Sequence, residues 1–260
     1  MKPDYKKMII DAIRNKDIEA VERLINTSEV KFLLDQHKIL EVAAEWGRVE
    51  ILKLIVPLVS YGQRLSALGV ASSYGQFHCV EFLLSVFDPQ YIKENQTAAT
   101  EAALLATTNN CPRCLELLIP FSNCTTGCHP HPLILAAYYG NTECLKILIP
   151  FSEPHNYDTA LENAAKNGYS LCVELLIPIS NVTAKNSQAL WLASKYGNRE
   201  CVELLAPFGD ANAILQSLMD EYPEEPKRWQ YLQEAVNQLQ RQRIVDEIDT
   251  TQNSVRARRI

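Results

Sequence analysis

The chain repeats itself. The segment ALWLASKYGNRECVELLAPFGD, Ala189 to Asp210, aligns position for position with ALENAAKNGYSLCVELLIPISN from Ala160 and with PLILAAYYGNTECLKILIPFSE from Pro132. Looser copies begin at Ala102, Ala67 and Ile39, and a degenerate copy begins at Met8. A shared turn position falls at Lys16, Gly47, Gly75, Asn110, Gly140, Gly168 and Gly197, 28 to 35 residues apart. Self-similarity at this period restricts the chain to a stack of like supersecondary units, none of which buries its apolar face alone.

Each position in the unit has a physical reason. Alanines 12, 43, 71, 106, 136, 164 and 193 sit mid-way along a first helix, where a small side chain lets the next repeat approach closely. The glycine four residues later ends that helix with a residue that adopts the left-handed conformation at low cost. Asn110 is the second-best residue for that slot, and Lys16 is a poor one, which marks the first copy as a worn terminal cap. A second helix follows, with the pattern x-C-V-x-L-L-I forming one buried stripe. Prolines 57, 120, 150, 178 and 207 stop it, because proline cannot continue the hydrogen-bond ladder.

Beyond Asp210 the pattern fades. Ala211 to Tyr222 suits the first helix of an eighth unit, Pro223 to Pro226 breaks the chain, and Lys227 to Ile248 reads as one long helix. Its apolar stripe, Trp229, Leu232, Val236 and Leu239, suits a cap over the last open face of the stack. Asp249 to Ile260 has no periodicity and reads as a mobile tail. The expected organisation is a solenoid over residues 1–210, a helical cap over 211–248 and a tail over 249–260.

The A-x-x-x-G turn followed by E-C-V-E-L-L resembles the ankyrin repeat, in seven copies from Met8 to Asp210. The resemblance implies an all-α solenoid of about seven helix-turn-helix units. The T-P-L-H opening of the family is absent, and its usual G-A-D ending is replaced by P-x-S or P-x-G, so short turns are expected in place of full β-hairpins. Short repeats ending in LLIP-x-S are similar to those of ankyrin proteins from intracellular bacteria and large viruses. That likeness implies a host-directed effector, delivered into a host cytosol.

The resemblance further implies a protein-interaction scaffold that binds a partner protein in a concave groove, through the residues just before each turn. Here these are Glu45–Trp46, Ser73–Tyr74, Thr108–Asn109, Tyr138–Tyr139, Lys166–Asn167 and Lys195–Tyr196. Trp46, Tyr74, Tyr139 and Tyr196 recur at one position, and tryptophan and tyrosine are the residues that binding hot spots favour. With Tyr138, Lys166 and Lys195 they form the candidate partner-binding set, and the lysines point to an acidic patch on the partner. The alternative is that the rings pack laterally and fill space between repeats.

Net charge is −6 with both signs well mixed, which gives no footprint for nucleic acid. The opening MKPDYKKMIIDAIRNKD has no signal-peptide core, and the longest apolar run, Ile51 to Val59, contains Lys53 and Pro57 and is too short for a bilayer. A monomeric cytoplasmic protein that binds no membrane is expected. No phosphate-binding glycine loop, G-x-S-x-G elbow or H-E-x-x-H motif is present, so neither an enzyme nor a cofactor is expected.

Five of the eight cysteines, 79, 114, 144, 172 and 201, share one slot in the second helix and act there as small hydrophobes. Cys111, Cys124 and Cys128 lie outside it, beside His129 and His131. Cysteine and histidine at this density suit zinc, a reactive thiol or a Cys124–Cys128 disulfide, and equally a polar loop that carries thiols. A metal- or thiol-dependent function centred on residues 111–131 is therefore the rival to partner binding.

Overall fold

The computed structural model describes residues 4–36, 38–123 and 131–257. Among these residues every regular element is helical and there is no strand. The chain divides into two compact units, Met1–Ala136 with Lys146–Phe151, and Ala137–Leu145 with Ser152–Ile260.

The first unit opens with α1 (Tyr5–Arg14) and α2 (Ile18–Ile25), followed by α3 (Ser28–Gln36). Two further pairs are α4 (Ile39–Glu45) with α5 (Val49–Ile55), and α6 (Tyr61–Ser73) with α7 (Phe77–Ser85). A short α8 (Pro89–Glu94) precedes the pair α9 (Gln96–Thr108) and α10 (Pro112–Leu118). The fifth pair, α11 (Pro132–Tyr139) and α12 (Thr142–Leu148), has residues in both units. The second unit holds α13 (Pro154–Asn167), α14 (Ser170–Leu176), α15 (Ala184–Lys195), α16 (Arg199–Leu205), α17 (Ala211–Glu221) and α18 (Gln230–Ala257).

The seven mid-helix alanines are all buried, as are the five slot cysteines. In each second helix from α5 onward the burial repeats, as in Cys172, Val173 and Leu176 of α14 or Cys201, Val202 and Leu205 of α16. Hydroxyls follow the alanine in three first helices, and Ser72, Thr107 and Ser194 donate to the carbonyls of Leu68, Ala103 and Leu190 one turn back. A hydroxyl satisfied within its own helix can be buried between repeats at little cost.

The unequal repeat lengths have a structural cause. The two longest intervals, Lys16 to Gly47 and Gly75 to Asn110, contain the extra helices α3 and α8. Helix α3 is held by Gln63, whose Nε2 donates to the Leu34 carbonyl at 2.6 Å. The same Gln63 closes a capping box with Ser60 at the start of α6. Elsewhere the helices α5, α10 and α12 run into three-residue 3₁₀ turns carrying Pro57, Pro120 and Pro150. There proline's missing N–H and fixed φ end the α-ladder.

Leu232 and Val236 are buried, and α18 packs on α15, α16 and α17, but the helix continues through Ala257. Residues 249–257, expected as a tail, extend it. They contain neither proline nor glycine, and lengthening an existing helix adds a hydrogen bond per residue without the cost of nucleation.

Candidate functional site

The turn after each first helix positions the candidate residues. All seven turn residues have positive φ, from 55° at Asn110 to 81° at Gly168. At Gly47 the turn N–H bonds the Ala44 carbonyl, and the N–H of Arg48 reaches back to Ala43. The same doubled pattern recurs at Lys16, Gly75, Asn110 and Gly197. This is a Schellman motif, and the repeat alanine supplies its outermost carbonyl. The two residues before the turn are therefore the last of the helix, and the backbone fixes their direction.

In several repeats the side chain just after the turn reaches back to the repeat before it. Nε and Nη2 of Arg48 donate to Ile13 and Arg14 carbonyls at 3.2 and 2.7 Å, and Nε2 of Gln76 donates to the Glu45 carbonyl at 2.8 Å. In the second unit, Nδ2 of Asn198 reaches the carbonyls of Ala165 and Lys166, both at 2.8 Å. These are carbonyls that a helix end leaves without an intrahelical donor. At Gly140 the aromatic ring of Tyr169 fills this role by contact, lying where a β-carbon would stand.

The residue directly before the turn points outward in every repeat from the second on. In the first unit Trp46 is 42% exposed and Tyr74 59%, and Asn109 is exposed beside them in sequence order. The Trp46 ring has the Arg14 guanidinium at 5.7 Å and that of Arg48 at 6.0 Å. In the second unit Tyr138 and Tyr139 are exposed and meet edge-to-face at 5.0 Å. Nδ2 of Asn167 donates to the Tyr138 carbonyl at 3.0 Å. Tyr196 is 53% exposed, with Nζ of Lys166 at 5.6 Å over its ring.

Lys195 lies at the centre of a larger cluster. Its Nζ is 4.2 Å from the Trp191 ring centroid, 5.2 Å from that of Tyr222 and 4.0 Å from a Glu221 oxygen. Arg228 covers Tyr222 at 4.5 Å while pairing with Glu225 at 2.6 Å. A cation over an aromatic face is held by the ring quadrupole, so these ammonium and guanidinium groups are oriented before any partner arrives. A cavity of about 600 Å³ adjoins Trp191, bounded by Gln188, Asp210, Ile214 and Ser217 of the same unit. Its size is within the range of ligand pockets.

The family model for ankyrin repeats, in three copies, matches residues 103–186 and 133–216. Residues 103–216 are therefore ankyrin repeats. The crystal structure of the human ASB11 ankyrin repeat domain superposes with a TM-score of 0.55 at 24% identity, over 65% of this chain and 83% of that one, which shows the shared fold. No curated protein matches the chain. Ankyrin repeats are generally protein–protein interaction modules, and the family is typically a non-enzymatic scaffold. Among the described residues no helix is long and apolar enough to cross a membrane.

Ankyrin periodicity brought out Trp46, Tyr74, Tyr138, Tyr139, Lys166, Lys195 and Tyr196, but not the groups that surround them. Trp191 carries a local signal, one helical turn before Lys195. Tyr222 and Arg228 come from the cap, and Arg14 from the worn first repeat, where no repeat position marks them.

The cysteine–histidine segment is described in part. Cys111 is half-buried at the start of α10, its Sγ 3.4 Å from the Asn109 carbonyl, and burial raises its thiol pKa. His131 is buried before α11 and accepts the Leu133 N–H at Nδ1, at 3.2 Å. Cys124, Cys128 and His129 lie outside the described residues. Among the described residues no three His, Cys, Asp or Glu side chains gather as metal ligands would.

Proposed function

We propose that this ankyrin-repeat chain binds a partner protein through the pre-turn faces of its two units. Trp46 and Tyr74 are the anchors in the first unit, and Tyr138, Tyr139 and Tyr196 in the second. Lys166 and Lys195 select an acidic patch on the partner. The observation that carries this reading is the contrast within one repeat: the alanine three residues earlier is fully buried, while the aromatic ring before the turn is exposed. An exposed tyrosine or tryptophan on a rigid helix end contributes contact area with little loss of side-chain entropy. A monomeric, cytosolic scaffold without catalytic activity, acting as a host-directed effector, is the setting that belongs to this proposal.

The test is one double variant and two measurements. Tyr139→Ala with Tyr196→Ala should leave the urea midpoint nearly unchanged, since about half of each side chain is in solvent. Affinity for a partner captured by the wild-type chain should fall by roughly 2 kcal/mol or more, a hot-spot cost. A destabilised variant whose folded fraction binds as tightly as wild type sinks the reading.

A further inference from the structure

The first unit carries a second surface, which starts at the turns and runs along the second helices. A cavity of about 510 Å³ opens along the second helices α2, α5 and α7. Four cationic or basic side chains line it, Lys16, Arg48, Lys53 and His78, over apolar groups that include Ile18 and Phe82. Two carboxylates are also present, and each has a partner: Glu50 pairs with Lys53 at 2.9 Å, and Glu81 with His78 at 3.6 Å. Both pairs are exposed, so each is weak and open to exchange. Lys16 and Arg48 pair with no carboxylate among the described residues. The cavity is therefore locally positive on a chain whose net charge is −6.

Lys16 supplies a second, independent observation. It occupies the turn position that glycine or asparagine fills in the other six repeats, and its φ is +58°. A lysine is strained in that conformation, whereas glycine is not. Strain held at one residue points to a role for its side chain, and this side chain lines the cavity. Arg48 is already fixed by its bonds to Ile13 and Arg14, which leaves its charge in place with little entropy to lose.

We propose that this cavity is a binding site for an acidic peptide segment, with carboxylates at Lys16, Arg48 and Lys53 and an apolar side chain between them on Phe82. Charge complementarity and the mixed lining select this occupant. It goes beyond the partner surface proposed above and follows the second helices, adjoining Trp46 only through Arg48.

The probe is a short fluorescein-labelled peptide alternating glutamate and leucine, read by anisotropy, with a lysine-for-glutamate peptide as control. The acidic peptide should bind wild type saturably and more weakly as salt is added, and the control should not bind. Lys16→Gly should raise the urea midpoint while weakening the peptide. Lys16→Gly with Lys53→Gln should weaken it by about tenfold or more. The Tyr139→Ala, Tyr196→Ala variant should bind the peptide as wild type does. Absence of saturable binding, equal binding by wild type and the lysine variants, or a lowered urea midpoint for Lys16→Gly each overturns the inference. Loss of the peptide in the tyrosine variant overturns it too, and moves the acidic segment to the pre-turn face.

Discussion

A β-carbon on Gly168 would stand 2.9 Å from Oδ1 of Asn198, because Asn198 leans over the preceding turn to reach the carbonyls of Ala165 and Lys166. Glycine is thus required there twice, for φ of +81° and for the space above it. At Gly197 φ is +72°, but the nearest obstacle to a β-carbon is Tyr231, at 4.0 Å. Gly197→Ala should cost about 1 kcal/mol from backbone strain alone. Gly168→Ala should cost more, about 2 kcal/mol. Urea melts that rank the two equally would show that the overhanging asparagine yields freely.

Asn198 itself should matter to the stack more than a half-exposed asparagine usually does. Asn198→Ala removes the donor from two helix-end carbonyls, and about 2 kcal/mol should be lost. The same substitution empties the space above residue 168. In a double-mutant cycle the pair Gly168→Ala and Asn198→Ala should therefore cost less than the two single changes added together. Additive losses would mean the two residues are uncoupled.

Two of the seven turns stand where glycine would be easier. Lys16→Gly should stabilise the chain by about 1 kcal/mol, the cost of a left-handed lysine being removed. Asn110→Gly should gain only a few tenths, because asparagine's short polar side chain tolerates φ of +55°. Thermal melts reversing this order would place the strain elsewhere.

The cap should be inseparable from the last repeats. Leu232 is fully buried where α18 meets α16 and α17. Leu232→Ala should cost about 2 to 5 kcal/mol, as other buried leucines do. Truncation after Asp210 should expose Ala206 and Leu205 and promote aggregation. A truncated chain that stays monomeric by light scattering, with its melting temperature intact, would make the cap an appendage.

The buried cysteines make an alkaline prediction. Burial pushes the thiols of Cys79 and Cys201 up to about 11, and that of Cys114, with Cys111 beside it, to about 12. A raised pKa means the folded state keeps its protons where the unfolded chain has begun to lose them. Stability is then fully present below the ordinary thiol pKa of 9.0 and falls between there and about 11 to 12. Cys201→Ala removes one such thiol, so its stability deficit against wild type should shrink from pH 8 toward pH 11. A constant deficit across chemical melts at those pH values would contradict the shift.

The repeat made much of this fold legible in the sequence. Seven aligned copies are seven readings of each position, so the alanine, the turn glycine and the cysteine column could be assigned to buried or left-handed roles from their recurrence alone. The exposed aromatic residue before the turn was found in the same way. Features that occur once had no such averaging. Helices α3 and α8 appear in the sequence only as longer intervals, and the helical stretch 249–257 has no apolar period to announce it. Tertiary structure also decided the neighbours: Arg14 and Arg48 about Trp46, Tyr222 and Arg228 beside Lys195, and Asn198 over Gly168. Apart from Arg48 with Trp46, these meetings join residues far apart in the sequence. Local periodicity records which face of a helix is buried, whereas the partner on that face is chosen by how successive repeats stack.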